Sequence, residues 1–193
     1  MKTETEYENI GKNFAAGGEA ELEAVMKLYG HALLKYCHNI ICDYHEAQDA
    51  VQITFIKAYK KRSSFNTDMN LYTWLHKIAY NTCIDILRRK KAKPALEDMP
   101  ARNNGGGHIP GHIRSALMTL KEIDRALIYS RAIEEKTFEE LAKIHGKNAA
   151  SLRKRYERAK KKLVGILAED YPEYKNKTKM NWGNKNETKS CKE

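Results

Sequence analysis

With 193 residues and a hydrophobic fraction of 41%, the chain can bury one or two small cores but not a single large one. It carries 35 Lys plus Arg against 25 Asp plus Glu, and a formal net charge of +10 directs it toward polyanionic partners. No run approaches the ~20 apolar residues of a membrane helix, and the polar start MKTETEYENIGKN lacks a signal-peptide core, so the cytoplasm is expected and membrane insertion is not.

The positive charge is clustered in residues 88–93 and 153–162, whereas the first fifty residues are net acidic. Cys37, Cys42, Cys83 and Cys191 have no disulfide-framework spacing and read as reduced thiols. His38, Cys42 and His45 share one helical face, but with no evident fourth ligand they give no metal site. No phosphate-binding glycine loop or nucleophile motif occurs, so neither a catalytic residue nor a cofactor is expected.

Residues 1–18 are polar and close on Ala15, Ala16, Gly17 and Gly18, which predicts a flexible arm. From residue 19 to 41, Leu22, Val25, Met26, Tyr29, Leu33, Tyr36 and Ile40 recur at three and four, the period of an amphipathic helix. A break at 43–45 precedes a second helix over 46–62, whose far side carries Asp49, Gln52, Ile53 and Ile56, a mixed patch that a partner protein could bury. Residues 63–70, SSFNTDMN, read as a loop in which Phe65 and Met69 are out of character.

A third helix spans 71–91. Leu71, Trp74, Leu75, Ile78, Thr82 and Leu87 fall mainly on one side, leaving Tyr72, His76, Lys77, Tyr80 and Asn81 on the remainder. Rings that stack on bases, amides that bond base edges and the cationic end from Arg88 and Arg89 onward suit a reader of single-stranded nucleic acid. The same pattern is also compatible with ordinary core packing. Residues 92–111, rich in glycine and holding three prolines, form a flexible linker able to span about 60 Å.

Beyond the linker, residues 112–133 predict one or two helices and 134–137 a turn. FEELAKIH at 138–145 is a short helix ended by Gly146, with Asn148 as the N-cap of the next. In that last helix Leu152, Tyr156, Ala159 and Leu163 face inward and Ser151, Arg153, Lys154, Arg155, Glu157, Arg158, Lys161 and Lys162 outward. A short helix, a glycine turn and a basic amphipathic helix make a helix-turn-helix signature, whose second helix fits the DNA major groove. Residues 169–193 form a polar tail with Trp182 as its one large apolar anchor.

Three segments in this order, EAQDAVQITFIKAY at 46–59, YTWLHKIAYNTCIDILRRKK at 72–91 and TFEELAKIHGKNAASLRKRYERAKKKL at 137–163, resemble the extracytoplasmic-function group of bacterial RNA polymerase sigma factors. The resemblance implies an all-α chain of two small helical domains, region 2 over 19–91 and region 4 over 112–168. It implies that Asp49, Gln52, Phe55 and Ile56 meet the clamp of the polymerase's largest subunit. Phe65, Asn66, Asn70, Tyr72, Lys77, Asn81, Asp85, Arg88 and Arg89 correspond to elements that capture the melted minus-ten strand. Ser151, Arg153, Lys154, Glu157 and Arg158 correspond to those that read the minus-thirty-five duplex. Glu157 is a departure that would repel phosphate but could accept from a cytosine amino group. Core RNA polymerase and promoter DNA are the expected partners, and an anti-sigma factor is a third candidate. The competing expectation is a stand-alone helix-turn-helix regulator that binds duplex without polymerase.

Overall fold

The computed structural model describes residues 4–92 and 109–170, which form eight α-helices and one 3-10 turn with no strand among them. Most of the linker and the tail from residue 171, Trp182 included, lie outside the described residues. No described helix is long and apolar enough to cross a membrane.

Where composition predicts a flexible arm, Glu4–Ala16 forms a helix, α1. Its anchor is Phe14, which has no exposed surface and meets the Trp74 ring edge-on at 6.4 Å. Gly11 lies so near the Phe65 ring that a β-carbon would stand 3.4 Å from it. Arg62 Nε donates to the Gly17 carbonyl at 2.9 Å and ties down the end of this segment. A helix of 13 residues is marginal alone, so α1 exists because burying Phe14 contributes roughly 1.5–3 kcal/mol.

Helices α2 (Glu19–Ile41), α3 (Tyr44–Lys60) and α4 (Leu71–Ala92) build the first unit. The Gly18 N–H donates to Glu21 at 2.7 Å, and Glu19 and Glu21 place negative charge at the positive end of α2. Cys42 ends α2 at φ 61, a left-handed conformation in which its N–H reaches the His38 carbonyl at 2.7 Å. Asp43 then accepts from Glu46 N–H at 3.1 Å and starts α3 after a two-residue break. Leu33, Tyr36, Ile40, Phe55, Leu75 and Cys83 fill the space between the three helices.

The second unit contains α5 (Gly111–Met118), α6 (Glu122–Ala132), α7 (Phe138–His145) and α8 (Ala149–Asp170). Its core is Leu127, Leu141, Ile144, Leu152 and Tyr156, the inward residues of α6, α7 and α8. The units pack directly on each other, α6 against α2 and α7 against α4. Ala126 of α6 is buried in the core of the first unit. Asn39 Nδ2 donates to the Arg125 carbonyl at 2.9 Å, and Cys42 meets Leu117 and Leu120.

Candidate nucleic-acid interface

Helix α8 is set up by its own N-terminus. Thr137 and Glu140 cap α7 reciprocally, with Glu140 N–H donating to Thr137 Oγ1 at 3.2 Å and Thr137 N–H to Glu140 Oε2 at 2.7 Å. Gly146 ends α7 at φ 60, and Asn148 Oδ1 accepts from Ala150 N–H at 2.8 Å to begin α8. Two helices are thereby joined by a tight turn. Leu152, Tyr156 and Ala159 are buried, and Ser151, Arg153, Lys154, Glu157 and Arg158 are all exposed on the opposite side. The Arg153 guanidinium lies 5.1 Å from the Phe138 ring centroid, and Arg158 Nε donates to the Lys154 carbonyl at 3.3 Å.

Arg155 belongs to a different role. Its Nε and Nη2 donate to the two carboxylate oxygens of Asp124 at 2.5 and 3.3 Å, a fork that holds α8 to α6. Nothing in the periodicity of the basic helix separates this arginine from its DNA-facing neighbours. A paired carboxylate on the preceding helix is the distinguishing feature, and it is visible only in three dimensions.

On the first unit, the residues expected to face the melted strand divide between two sides of α4. Lys77, Asn81, Arg88 and Arg89 are exposed, and Asp85 is half-exposed with Lys57 at 3.4 Å. The side chains of Asn66 and Asn70 are exposed but shape the approach to the helix: Asn66 Oδ1 accepts from Asp68 N–H at 2.9 Å and Asn70 Oδ1 from Thr73 N–H at 3.2 Å. Phe65 is only 6% exposed, its ring 5.1 Å from Trp74 and covered by α1. The out-of-character ring of this loop is a plug in the core and not an open stacking platform.

Tyr72 lies on the opposite side from Lys77. Its ring stacks on Tyr29 at 5.1 Å, and its hydroxyl donates to Glu134 Oε1 at 2.9 Å. The same oxygen is 2.9 Å from His76 Nε2, while His76 Nδ1 is 2.9 Å from the Tyr72 carbonyl. A carbonyl oxygen only accepts, so Nδ1 donates there, and Nε2 faces the Glu134 carboxylate. Ser130 Oγ donates to Glu134 Oε2 at 3.1 Å, and Lys136 Nζ lies 4.0 Å from that oxygen and 4.3 Å from the Tyr72 ring centroid. Burial opposes ionisation of Glu134, but His76, Lys136 and the Tyr72 hydroxyl outweigh it and hold the carboxyl below its usual range. Burial in turn lowers Lys136, only partly offset by Glu134 and Glu140. The sequence marks 134–137 only as a turn, because partners 58 and 62 residues away leave no trace in local pattern.

On α3, Asp49, Gln52 and Ile56 are exposed, Ile56 at 55%, whereas Phe55 is 3% exposed and belongs to the core. A groove of about 510 Å³ beside them is lined by Glu46, Asp49, Ile53, Ile86, Arg89 and Lys90. Of the three residues considered as metal donors, His38 packs edge-on against Tyr44 at 5.8 Å and Cys42 donates to the Asn39 carbonyl at 3.6 Å.

Two family descriptions match this chain, Sigma-70 region 2 over residues 25–93 and Sigma-70 region 4 over residues 112–163. The chain belongs to the extracytoplasmic-function group of sigma factors. It is 34% identical over 87 residues to the ECF RNA polymerase sigma factor SigG of Mycobacterium tuberculosis, covering 45% of this chain and 24% of that protein. The chain thus spans about a quarter of the length of that relative. It is 25% identical over 186 residues to the RNA polymerase sigma-H factor of Pseudomonas aeruginosa, covering 86% of this chain and 96% of that one. Among solved structures, CnrH in complex with the cytosolic domain of CnrY is similar in fold, with a TM-score of 0.66 at 22% identity, covering 85% of this chain and 98% of CnrH. RpoE of Bartonella quintana, in complex with the anti-sigma factor NepR, has a TM-score of 0.62 at 24% identity over 75% of this chain and 95% of its own. The two matched regions of this sigma factor coincide with the two packed units, and α1 precedes the first of them.

Proposed function

We propose that this sigma factor binds core RNA polymerase, directs it to a promoter and assists duplex opening, without covalent chemistry of its own. The observation that carries the reading is the coexistence of two separate nucleic-acid surfaces on one chain. One is the helix-turn-helix face of α8, with Ser151, Arg153, Lys154, Glu157 and Arg158 exposed together; the other is the stripe of Lys77, Asn81, Arg88 and Arg89 on α4. The first suits the major groove of a closed duplex, the second an open strand. Asp49, Gln52 and Ile56 supply the face for the clamp of the polymerase's largest subunit, with Phe55 holding that face from beneath. Asn66 and Asn70 shape the loop that leads the strand to α4. The protein acts in the cytoplasm, and an anti-sigma partner of the kind seen with RpoE is part of the proposal.

Transcription by purified core polymerase on a promoter library, with and without this protein, tests the reading. Initiation from a defined subset of promoters, only when the protein is present, is the expected result. Tight duplex binding with no association with polymerase would instead make it a stand-alone regulator.

A further inference from the structure

Along the seam between the two units, α2 and α6 do not close completely. A cavity of about 390 Å³ opens there, within the roughly 300–1,000 Å³ typical of small-molecule sites. Its walls are largely apolar: Leu34 of α2, Tyr44 at the start of α3, Tyr129 of α6 and Ile133 at the C-terminal cap of α6. Ile133 is 66% exposed, more than any other exposed large hydrophobic side chain among the described residues. An exposed isoleucine alone means little, but this one stands at the rim of a cavity.

The rim carries charge of one sign. His31 and Lys35 lie one turn apart on the exposed side of α2, and neither has a hydrogen bond or ion pair among the described residues. No carboxylate lines the cavity. The acids adjacent in sequence to its lining are committed elsewhere, Asp43 to the Glu46 N–H and Glu134 to Tyr72 and His76. Tyr44 and Tyr129 bring hydroxyls that make no hydrogen bond among the described residues. Burial and the nearby Glu134 push the Tyr129 hydroxyl up to about 12, so it remains a donor at neutral pH. Asn39 gives its amide to the Arg125 carbonyl and His38 packs edge-on against Tyr44, so these two hold the walls in place.

We propose that this cavity binds a small organic acid with an aromatic body, its carboxylate at the His31 and Lys35 rim and its ring among Leu34, Tyr44, Tyr129 and Ile133. Charge complementarity selects the anion, because two cations here face no acid of the protein. The two tyrosine walls select a flat ring over a flexible acyl chain, since a ring gains stacked or edge-on contact and has no chain entropy to lose. The volume suits one ring system with its acid, whereas a partner helix docks along a groove. Because α2 lies in region 2 and α6 in region 4, a bound acid touches both matched regions at once. The lining shares no residue with the α8 face, the α4 stripe or the α3 clamp face, so binding there is independent of the promoter-opening reading.

The test titrates the full, isotope-labelled chain with naphthoate, with its neutral isostere naphthamide and with octanoate. Amide chemical shifts locate binding, and calorimetry gives the affinities. Naphthoate should shift Asn39, Tyr44 and Ile133 and bind about tenfold more tightly than naphthamide, with octanoate also weaker. Lys35→Glu should lower naphthoate affinity about tenfold and leave naphthamide binding unchanged, whereas Ile133→Ser should weaken both. Lys35 and Ile133 are exposed, so neither variant threatens the fold, and circular dichroism verifies it. Lys27→Gln, which alters the exposed Lys27–Glu23 pair elsewhere on α2, is the control and should bind naphthoate as wild type does. No binding at millimolar naphthoate, or shifts confined to other parts of the chain, would overturn the site. Equal affinity for naphthamide would overturn the selection of an acid, and equal affinity for octanoate the selection of a ring. A loss in Lys27→Gln as large as in Lys35→Glu would reduce the effect to general attraction by a cationic chain and overturn the site as well.

Discussion

His145 makes a quantitative prediction about pH. It sits in the last turn of α7, edge-on to Tyr80, and neither ring nitrogen has a hydrogen-bond partner among the described residues. Burial, with smaller contributions from His76 and Lys147, lowers its pKa from 6.5 to about 4. A histidine held neutral in this way binds fewer protons folded than unfolded between those two values. The stability it permits is intact above pH 6.5 and is lost as pH falls through the window. Linkage puts the loss at about 2 kcal/mol between about pH 7 and about pH 5, approaching about 3 kcal/mol at lower pH. Glu134 acts in a separate range: its carboxyl is held below 4.5, so its contribution disappears only below that. His145→Phe preserves an edge-on ring against Tyr80 and removes the titration. Urea unfolding of both proteins at several values between about pH 7 and about pH 5 should show the slope in wild type and its absence in the variant. An equal slope in both would refute the reasoning, as would a flat wild-type profile.

Three further outcomes are expected. Phe14→Ala should cost about 3 to 5 kcal/mol in denaturant unfolding, because Phe14 is fully buried where α1 docks; a loss under about 1 kcal/mol would mean that α1 is not anchored there. Ile56→Ser should weaken core-polymerase association in a pull-down titration while leaving the melting midpoint nearly unchanged, since Ile56 is 55% exposed; Phe55→Ala, at a site 3% exposed, should lower stability first. Arg158→Ala should cost about 1 to 3 kcal/mol of minus-thirty-five duplex affinity by fluorescence anisotropy, with polymerase association retained. Loss of polymerase association in that last variant would contradict the separation of surfaces.

The helices that carry most of the molecule are readable from sequence because their apolar spacing is unbroken. Val25, Tyr29, Leu33, Tyr36 and Ile40 on α2, and Leu152, Tyr156 and Ala159 on α8, are spaced by three and four and all face inward. The caps at Gly146 and Asn148 are local features and equally visible. α1 is not legible, because its fully buried anchor among the described residues is Phe14 and the surrounding composition is polar. The division of the α4 face was not legible either. Tyr72, His76 and Tyr80 form a row at four-residue spacing that is as good for docking a protein as for stacking on bases, and only the second unit's Glu134 and His145 decide between the two. Phe65 stood out in its polar loop, but what it plugs is set by Gly11 and Trp74, which are distant in sequence.

The Lys91–Glu122 pair bridges the seam at 2.8 Å with Lys91 73% exposed, and so it is open to screening by dissolved ions. An exposed pair of this kind carries little of the seam, and the buried Glu134 contacts beside it are screened much less. The packing of the two units should therefore persist over a range of ionic strength in which binding to phosphates weakens steeply.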